Sequence, residues 1–227
     1  MVTVVDDELD RQARVLVDHG ILGMVGLARD HFARAVEELR PVLQTKVPSN
    51  AGREPGEGLV SFVLVTTAGV DREMAAAEEQ VPLLRLSGGS APGVLDRNHG
   101  PEGLAPYQPI SEVGPPPASV YALLDVDRGE EFCGVAPQNA LPVIQARGRT
   151  PLTIVEGLAL VLLHPHMLKK NACFMLSGSR RGDRRVPALW ISGKAPKLGW
   201  CWDGNPHTWL GVASTASRVT GPDSAVA

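Results

Sequence analysis

Val186-Pro187-Ala188-Leu189-Trp190-Ile191-Ser192, then Gly193-Lys194-Ala195-Pro196, then Lys197-Leu198-Gly199-Trp200-Cys201-Trp202, is the stretch that decides the fold. Two β-branched and aromatic runs flank a short interval of turn composition, the pattern of a hairpin. Cys173-Phe174-Met175-Leu176 precedes them as a further strand, so the C-terminal part reads as a strand meander. Side chains alternate along a strand, so Trp200 and Trp202 are expected on one side of the third strand and Cys201 on the other. All four tryptophans, Trp190, Trp200, Trp202 and Trp209, fall in this region, in a chain with only 4% aromatic residues.

Outward from the meander, Thr153 and Glu156 have capping-box spacing, which predicts a helix through Leu158, Leu160, Val161 and Leu163, mostly buried. His164-Pro165-His166 is expected to end it, with the histidines as terminus residues and not ligands. A shorter helix is read over 139–146. Val120 to Asp127 reads as a strand, and Leu59-Val60-Ser61-Phe62-Val63-Leu64-Val65 as another, buried one. Between these two, residues 71–80 are expected to be helical and 81–86 to form a strand, at an edge or starting there because of Pro82.

The first forty residues read as two amphipathic helices. Asp6 or Asp7 is expected to cap the first, with Leu9, Ala13, Leu16 and Val17 inside and Gly20 at its end. The second starts near Asp30, buries Phe32, Val36 and Leu39, and is expected to stop before Pro41. Residues 49–58 are polar and glycine-rich. The whole reads as one α+β domain over 1–227: a helical N-terminal part, a central mixed or antiparallel sheet, and the C-terminal strand meander.

Seven prolines and six glycines between Ser87 and Ser119 interrupt this pattern. Such composition favours extended backbone, so residues 87–118 are expected to be a solvated covering loop or a linker, with His99 and Tyr107 as candidate lid residues.

Net charge is −3, but unevenly spread: residues 1–150 carry 13 basic and 21 acidic side chains, and residues 151–227 carry 9 and 4. Four of the nine are Arg180, Arg181, Arg184 and Arg185. A basic third either meets an anionic partner or packs on the acidic body. No apolar run reaches membrane-spanning length and the N-terminus lacks a signal-peptide pattern, so a cytoplasmic location with no membrane partner is expected. Cys133, Cys173 and Cys201 are widely spaced and odd in number, which predicts reduced thiols. Asp125 and Asp127 have a spacing that can hold a metal, but no third ligand accompanies them and none is expected.

Three functional readings follow. In the first, a small anionic or aromatic organic ligand binds through Arg180, Arg181, Arg184 and Arg185, with Asn205 and His207 nearby, Trp200 and Trp202 as a stacking wall, and the Ser177 to Gly182 turn as a backbone anion cradle. Its rival has these arginines stacked on tryptophan and paired with Asp125, Asp127 and Glu156 as a structural clasp. In the second reading, Cys201 or Cys173 acts as a nucleophile with His207, and Asp203 orients the base. In the third, the segment contacts protein or nucleic acid; a pI near 6.1 disfavours nucleic acid. No cofactor is indicated, and further copies of the chain are a compatible partner.

The segments Gly178 to Ser192 and Gly199 to Gly211, with Arg147 to Thr153, Asn171 to Phe174, Val81 to Leu86 and Leu124 to Asp127, resemble an actinobacterial family of unknown function. The resemblance covers most of the chain. It implies no activity, cofactor or catalytic residue, and its setting suggests specialised metabolism.

Overall fold

The computed structural model describes residues 4–47 and 58–222. The order is α1 (Val4–Asp18), α2 (Ile21–Val25), α3 (Arg29–Lys46), β1 (Leu59–Thr66), α4 (Glu73–Gln80), β2 (Val94–Leu95), β3 (Gln108–Pro109), β4 (Val120–Asp127), α5 (Pro137–Ala146), β5 (Thr150–Pro151), α6 (Ile154–Leu163), β6 (Cys173–Met175), β7 (Ser179–Arg180), β8 (Arg185–Ser192), β9 (Ala195–Trp202), β10 (Leu210–Val212) and β11 (Ser214–Val219). The fold is α+β. One antiparallel sheet runs β1-β4-β11-β5, and a mixed sheet runs β10-β6-β8-β9-β2 with the two outer pairings parallel. Strands β3 and β7 form a separate antiparallel pair.

The hairpin expected at 186–202 is present, with Ser192 opposite Ala195. Its two turn residues, Gly193 and Lys194, both have positive φ, at 58° and 62°. That is the type I′ geometry whose twist matches the flanking strands. Helix α6 carries the expected capping box, in which the Thr153 hydroxyl accepts from Glu156 N and the Glu156 carboxylate accepts from Thr153 N. All ten of its residues are buried, and it packs against β1, α4 and α1. A single apolar cluster joins α6, both larger sheets and the N-terminal helices.

Several expectations are corrected. Helix α1 already includes Val4, so Asp6 and Asp7 sit in its first turn and do not cap it. Asp6 instead accepts from Gln44 Nε2 (2.8 Å) and Arg40 Nη1 (3.3 Å), which ties α1 to α3. Helix α3 runs through Pro41, because burying Leu39 and Leu43 on one face outweighs the single missing amide. Residues 81–83 form a 3₁₀ turn and not a strand: Pro82 fits a helical first turn, and the chain continues the direction of α4. The strand in this region is β2, parallel to β9. The polar stretch at 49–57 lies outside the described residues.

The segment 87–118 is not a solvated loop. It supplies β2 and β3, and it buries Leu104, Tyr107, Val113 and His99. Strands β10 and β11, unforeseen in sequence, carry the chain from one sheet to the other. At that crossing Gly129 (φ 72°) and Gly211 meet backbone to backbone; a Cβ on Gly129 would lie 1.9 Å from Val212 O.

Edge strand β1 is closed by a side chain. Gln12 is fully buried, its Nε2 donates to Phe62 O (3.1 Å) and its Oε1 accepts from Leu64 N (2.7 Å). The same Nε2 lies 3.2 Å from His164 Nε2. The Gln12 amide also donates to Glu8 Oε1 (2.8 Å), so Phe62 and Glu8 take both hydrogens of the amide and His164 lies against it as a close neighbour. Burial is the main cause that brings the His164 pKa down to about 4.

Glu73 titrates in the opposite sense. Burial, with the Glu156 charge adding to it, lifts its carboxyl to about 7, although it accepts from Ala68 N (2.8 Å). A carboxyl with a raised folded pKa favours folding while protonated, and that contribution is lost as pH rises from about 4.5 through 7. Glu73→Gln keeps the acceptor and removes the charge. The variant is therefore expected to gain stability over wild type progressively between pH 4.5 and 7, reaching about 1–2 kcal/mol after allowance for partial solvation. Urea midpoints at pH 5 and pH 8 check this; an equal difference at both would refute it.

Candidate functional site

The root of the β8–β9 hairpin gathers part of the predicted cluster. Arg185 stands opposite Trp202 and Pro187 opposite Trp200, so Arg185, Trp200 and Trp202 share a face. The Arg185 guanidinium lies 4.7 Å over the Trp200 ring. Trp200 meets Trp202 edge to face at 4.8 Å and donates its indole N–H to Asn98 O (3.0 Å). Trp202 is 45% exposed, one of few large apolar side chains facing solvent among the described residues. Asn205 joins through the turn after β9, donating its backbone N–H to Trp202 O.

The other two tryptophans lie elsewhere. Trp190 is on the opposite face of the hairpin, above Gly199, where a Cβ would come within 2.0 Å of its ring. It packs edge to face on Trp209 (6.3 Å), which in turn meets His207 (5.6 Å). His207 is therefore grouped with this second pair and not with the Arg185 face.

The arginines have internal partners. Arg181 Nη2 donates to Glu102 (2.9 Å), and its Nε lies 3.3 Å from Asp183. Arg185 Nε lies 3.4 Å from the same Asp183 oxygen. Arg180 pairs with Asp203 (3.1 Å) and donates to Ser177 O (2.7 Å); burial lowers its pKa. Arg184 has no carboxylate partner among the described residues and reaches only Gln138 Oε1, at 3.4 Å. The acids expected to hold these arginines are engaged elsewhere, Asp125 by Arg149, Asp127 by Gly129 N and Glu156 by Arg218.

The backbone of the Ser177 to Gly182 turn offers no open cradle over its first residues. Gly178 N donates to Leu152 O and Ser179 N to Leu176 O, and a Cβ on Gly178 would lie 2.7 Å from the Leu152 backbone. The turn is pressed into the fold before α6.

Cys201 and Cys173 are not set up as thiolate nucleophiles among the described residues. Cys201 is buried with its Sγ 3.2 Å from Met175 Sδ, and burial pushes its thiol up to about 12. Cys173 is buried too, with its pKa raised, and donates to Lys169 O. No hydrogen bond joins either thiol to His207 among the described residues.

Two residues that composition placed in solvent complete the arginine side of the site. The rings of His99 and Tyr107 meet at 5.6 Å, and the Arg181 guanidinium lies 5.9 Å from the Tyr107 centroid. Both are buried, and neither the ring nitrogens of His99 nor the Tyr107 hydroxyl makes a well-formed hydrogen bond. The nearby Leu198 carbonyl and Arg181 guanidinium bear on their electrostatics without that geometry. Burial lowers His99 to about 4 and lifts Tyr107 to about 12, so both are neutral.

A separate polar cleft of about 220 Å³ is lined by Asp125, Asp127, Glu131, Arg147, Arg149 and Ser214. Arg149 holds Asp125, a residue with φ 50° inside β4, and Arg147 holds Glu131. Its charges largely neutralise one another.

These features define an α+β protein, and neither the solved structures nor the curated proteins gave a match. The chain belongs to the Family of unknown function (DUF5701), which matches residues 15–221. Among the described residues no helix is long and apolar enough to cross a membrane.

Proposed function

We propose that the hairpin root binds a small organic ligand that carries an aromatic ring and an acidic group. One observation carries this reading: a guanidinium lies over Trp200 beside the half-exposed face of Trp202. A planar cation and an adjoining aromatic wall suit an aromatic acid, through charge-assisted hydrogen bonds and stacking. Arg181, Arg185, Trp200, Trp202 and Asn205 are the binding residues in this reading. Arg180, Arg184 and His207, proposed from sequence for the same role, lie to the side. The likeness of the 178–192 and 199–211 segments to actinobacterial proteins suggests a specialised metabolite.

The test is a tryptophan-fluorescence titration with indole, benzoate, indole-3-acetate and phenyl phosphate. A saturable change is expected with the aromatic probes, and Trp202→Ala should weaken it about tenfold, the equivalent of ~1.4 kcal/mol. The absence of a response to every probe would remove the proposal.

A further inference from the structure

Behind the exposed tryptophan lies a set of donors without acceptors. Tyr107 is 0% exposed and His99 2%, and their polar atoms, together with Arg185 Nε, lack well-formed hydrogen bonds. A buried polar group without a partner is costly, and these lie in one neighbourhood, since the rings of His99 and Tyr107 meet at 5.6 Å and Arg181 lies 5.9 Å from the Tyr107 centroid. The guanidinium charges of Arg181 and Arg185 reach both rings.

Glu102 holds the outer Arg181 Nη2 at 2.9 Å, and a second carboxylate, Asp183, bridges the two guanidiniums loosely. Asp183 Oδ2 lies 3.3 Å from Arg181 Nε and 3.4 Å from Arg185 Nε, longer than the 2.7–2.9 Å usual for a charge-assisted bond. Its other oxygen accepts from Arg185 N (2.9 Å) in a local turn, which limits how far the carboxylate can reach. The Asp183 side chain is 41% exposed, whereas Arg181 and Arg185 are 12% and 25% exposed. Solvent therefore reaches the carboxylate more readily than the cations it bridges.

We infer that Asp183 is an internal stand-in for the ligand's acidic group, and that an oxyanion, phosphate or carboxylate, displaces it to bridge Arg181 and Arg185 and accept from Tyr107 and His99. This rests on the ligand-binding reading above and adds to it the site and chemistry of the charged end. Tyr107 keeps its phenolic proton and neutral His99 one ring N–H, so both donate without any proton transfer. A carboxylate in the place of Asp183 brings the same charge to the two guanidiniums, and a phosphate brings more negative charge, while the displaced Asp183 turns to solvent.

Calorimetric titration of the full chain with inorganic phosphate and, separately, acetate, at constant ionic strength, tests this. Asp183→Asn retains the Oδ1 acceptor for Arg185 N while removing the competing charge. It is expected to bind one of the two anions about tenfold more tightly than wild type, and Tyr107→Phe in that background to reverse most of the gain. Preference for phosphate identifies a phosphate monoester as the acidic group, and preference for acetate a carboxylic acid. The ¹⁵N resonances of the His99 ring should shift on addition of that anion, a readout that remains if Tyr107→Phe fails to fold. Equal affinity in wild type and Asp183→Asn, or no shift at His99, overturns the inference. Indole quenching at Trp202 retained in such a case would leave the aromatic part of the proposed function standing, and its loss would point to the failure of that reading instead.

Discussion

Arg218→Ala is expected to destabilise the protein by about 3–5 kcal/mol, a large part of the 5–15 kcal/mol typical of a domain. Glu156 is fully buried and its two oxygens accept four hydrogen bonds. Tyr121 Oη (2.9 Å) and Arg218 Nε (2.6 Å) donate to one, and Thr153 N and Arg218 Nη2 (both 2.8 Å) to the other. Arg218 also donates to Thr150 Oγ1 and Pro151 O. The pair thus joins β11, β4, β5 and the start of α6 at one point. Truncating the arginine leaves a carboxylate in the core with only neutral donors. Arg218→Met combined with Glu156→Gln removes both charges and is expected to lose less than Arg218→Ala alone. Urea denaturation at neutral pH measures both; a single variant at least as stable as the double would contradict the account.

Gly129→Ala is the second large effect, at about 2–4 kcal/mol. Two costs combine: a positive φ of 72°, worth about 1 kcal/mol against a side chain, and a Cβ 1.9 Å from Val212 O, which only a backbone shift can relieve. Gly20→Ala isolates the first cost, because Gly20 has φ 71° and nothing within 4 Å of its Cβ position. It is expected to cost about 1 kcal/mol. Thermal melts of the two variants, side by side, should differ several-fold in their loss; similar losses would mean the approach of Gly129 to β10 is not tight in solution.

Local signals in the sequence carried much of the fold. The Thr153 and Glu156 spacing placed α6, and the alternation at 186–202 placed β8 and β9. What they could not carry was partnership across long separations. Glu156 reads as half of a capping box, yet its ion pair is with a residue 62 positions away. The alternation that put Trp200 and Trp202 together says nothing of Trp190 until the register of β8 on β9 sets it on the other face. Likewise, proline and glycine composition marked 87–118 as solvated, whereas its few large side chains, Leu104 and Tyr107, are what bury it. For the candidate site, residue types singled out the arginine and tryptophan segment but not how its side chains are held. The acids that hold its arginines are Glu102, Asp183 and Asp203, and no sequence spacing singles these out over Asp125 or Asp127.

Gln12 has a consequence for how copies of this chain can meet. Its side-chain amide presents to β1 one donor and one acceptor, as the peptide group of a neighbouring strand would. An unpaired sheet edge is a template on which another molecule can add a strand, and here a helix has filled the place with a single residue. Addition of a strand to the β1-β4-β11-β5 sheet is thus blocked at Phe62 and Leu64, in the middle of the β1 edge, by a side chain of α1.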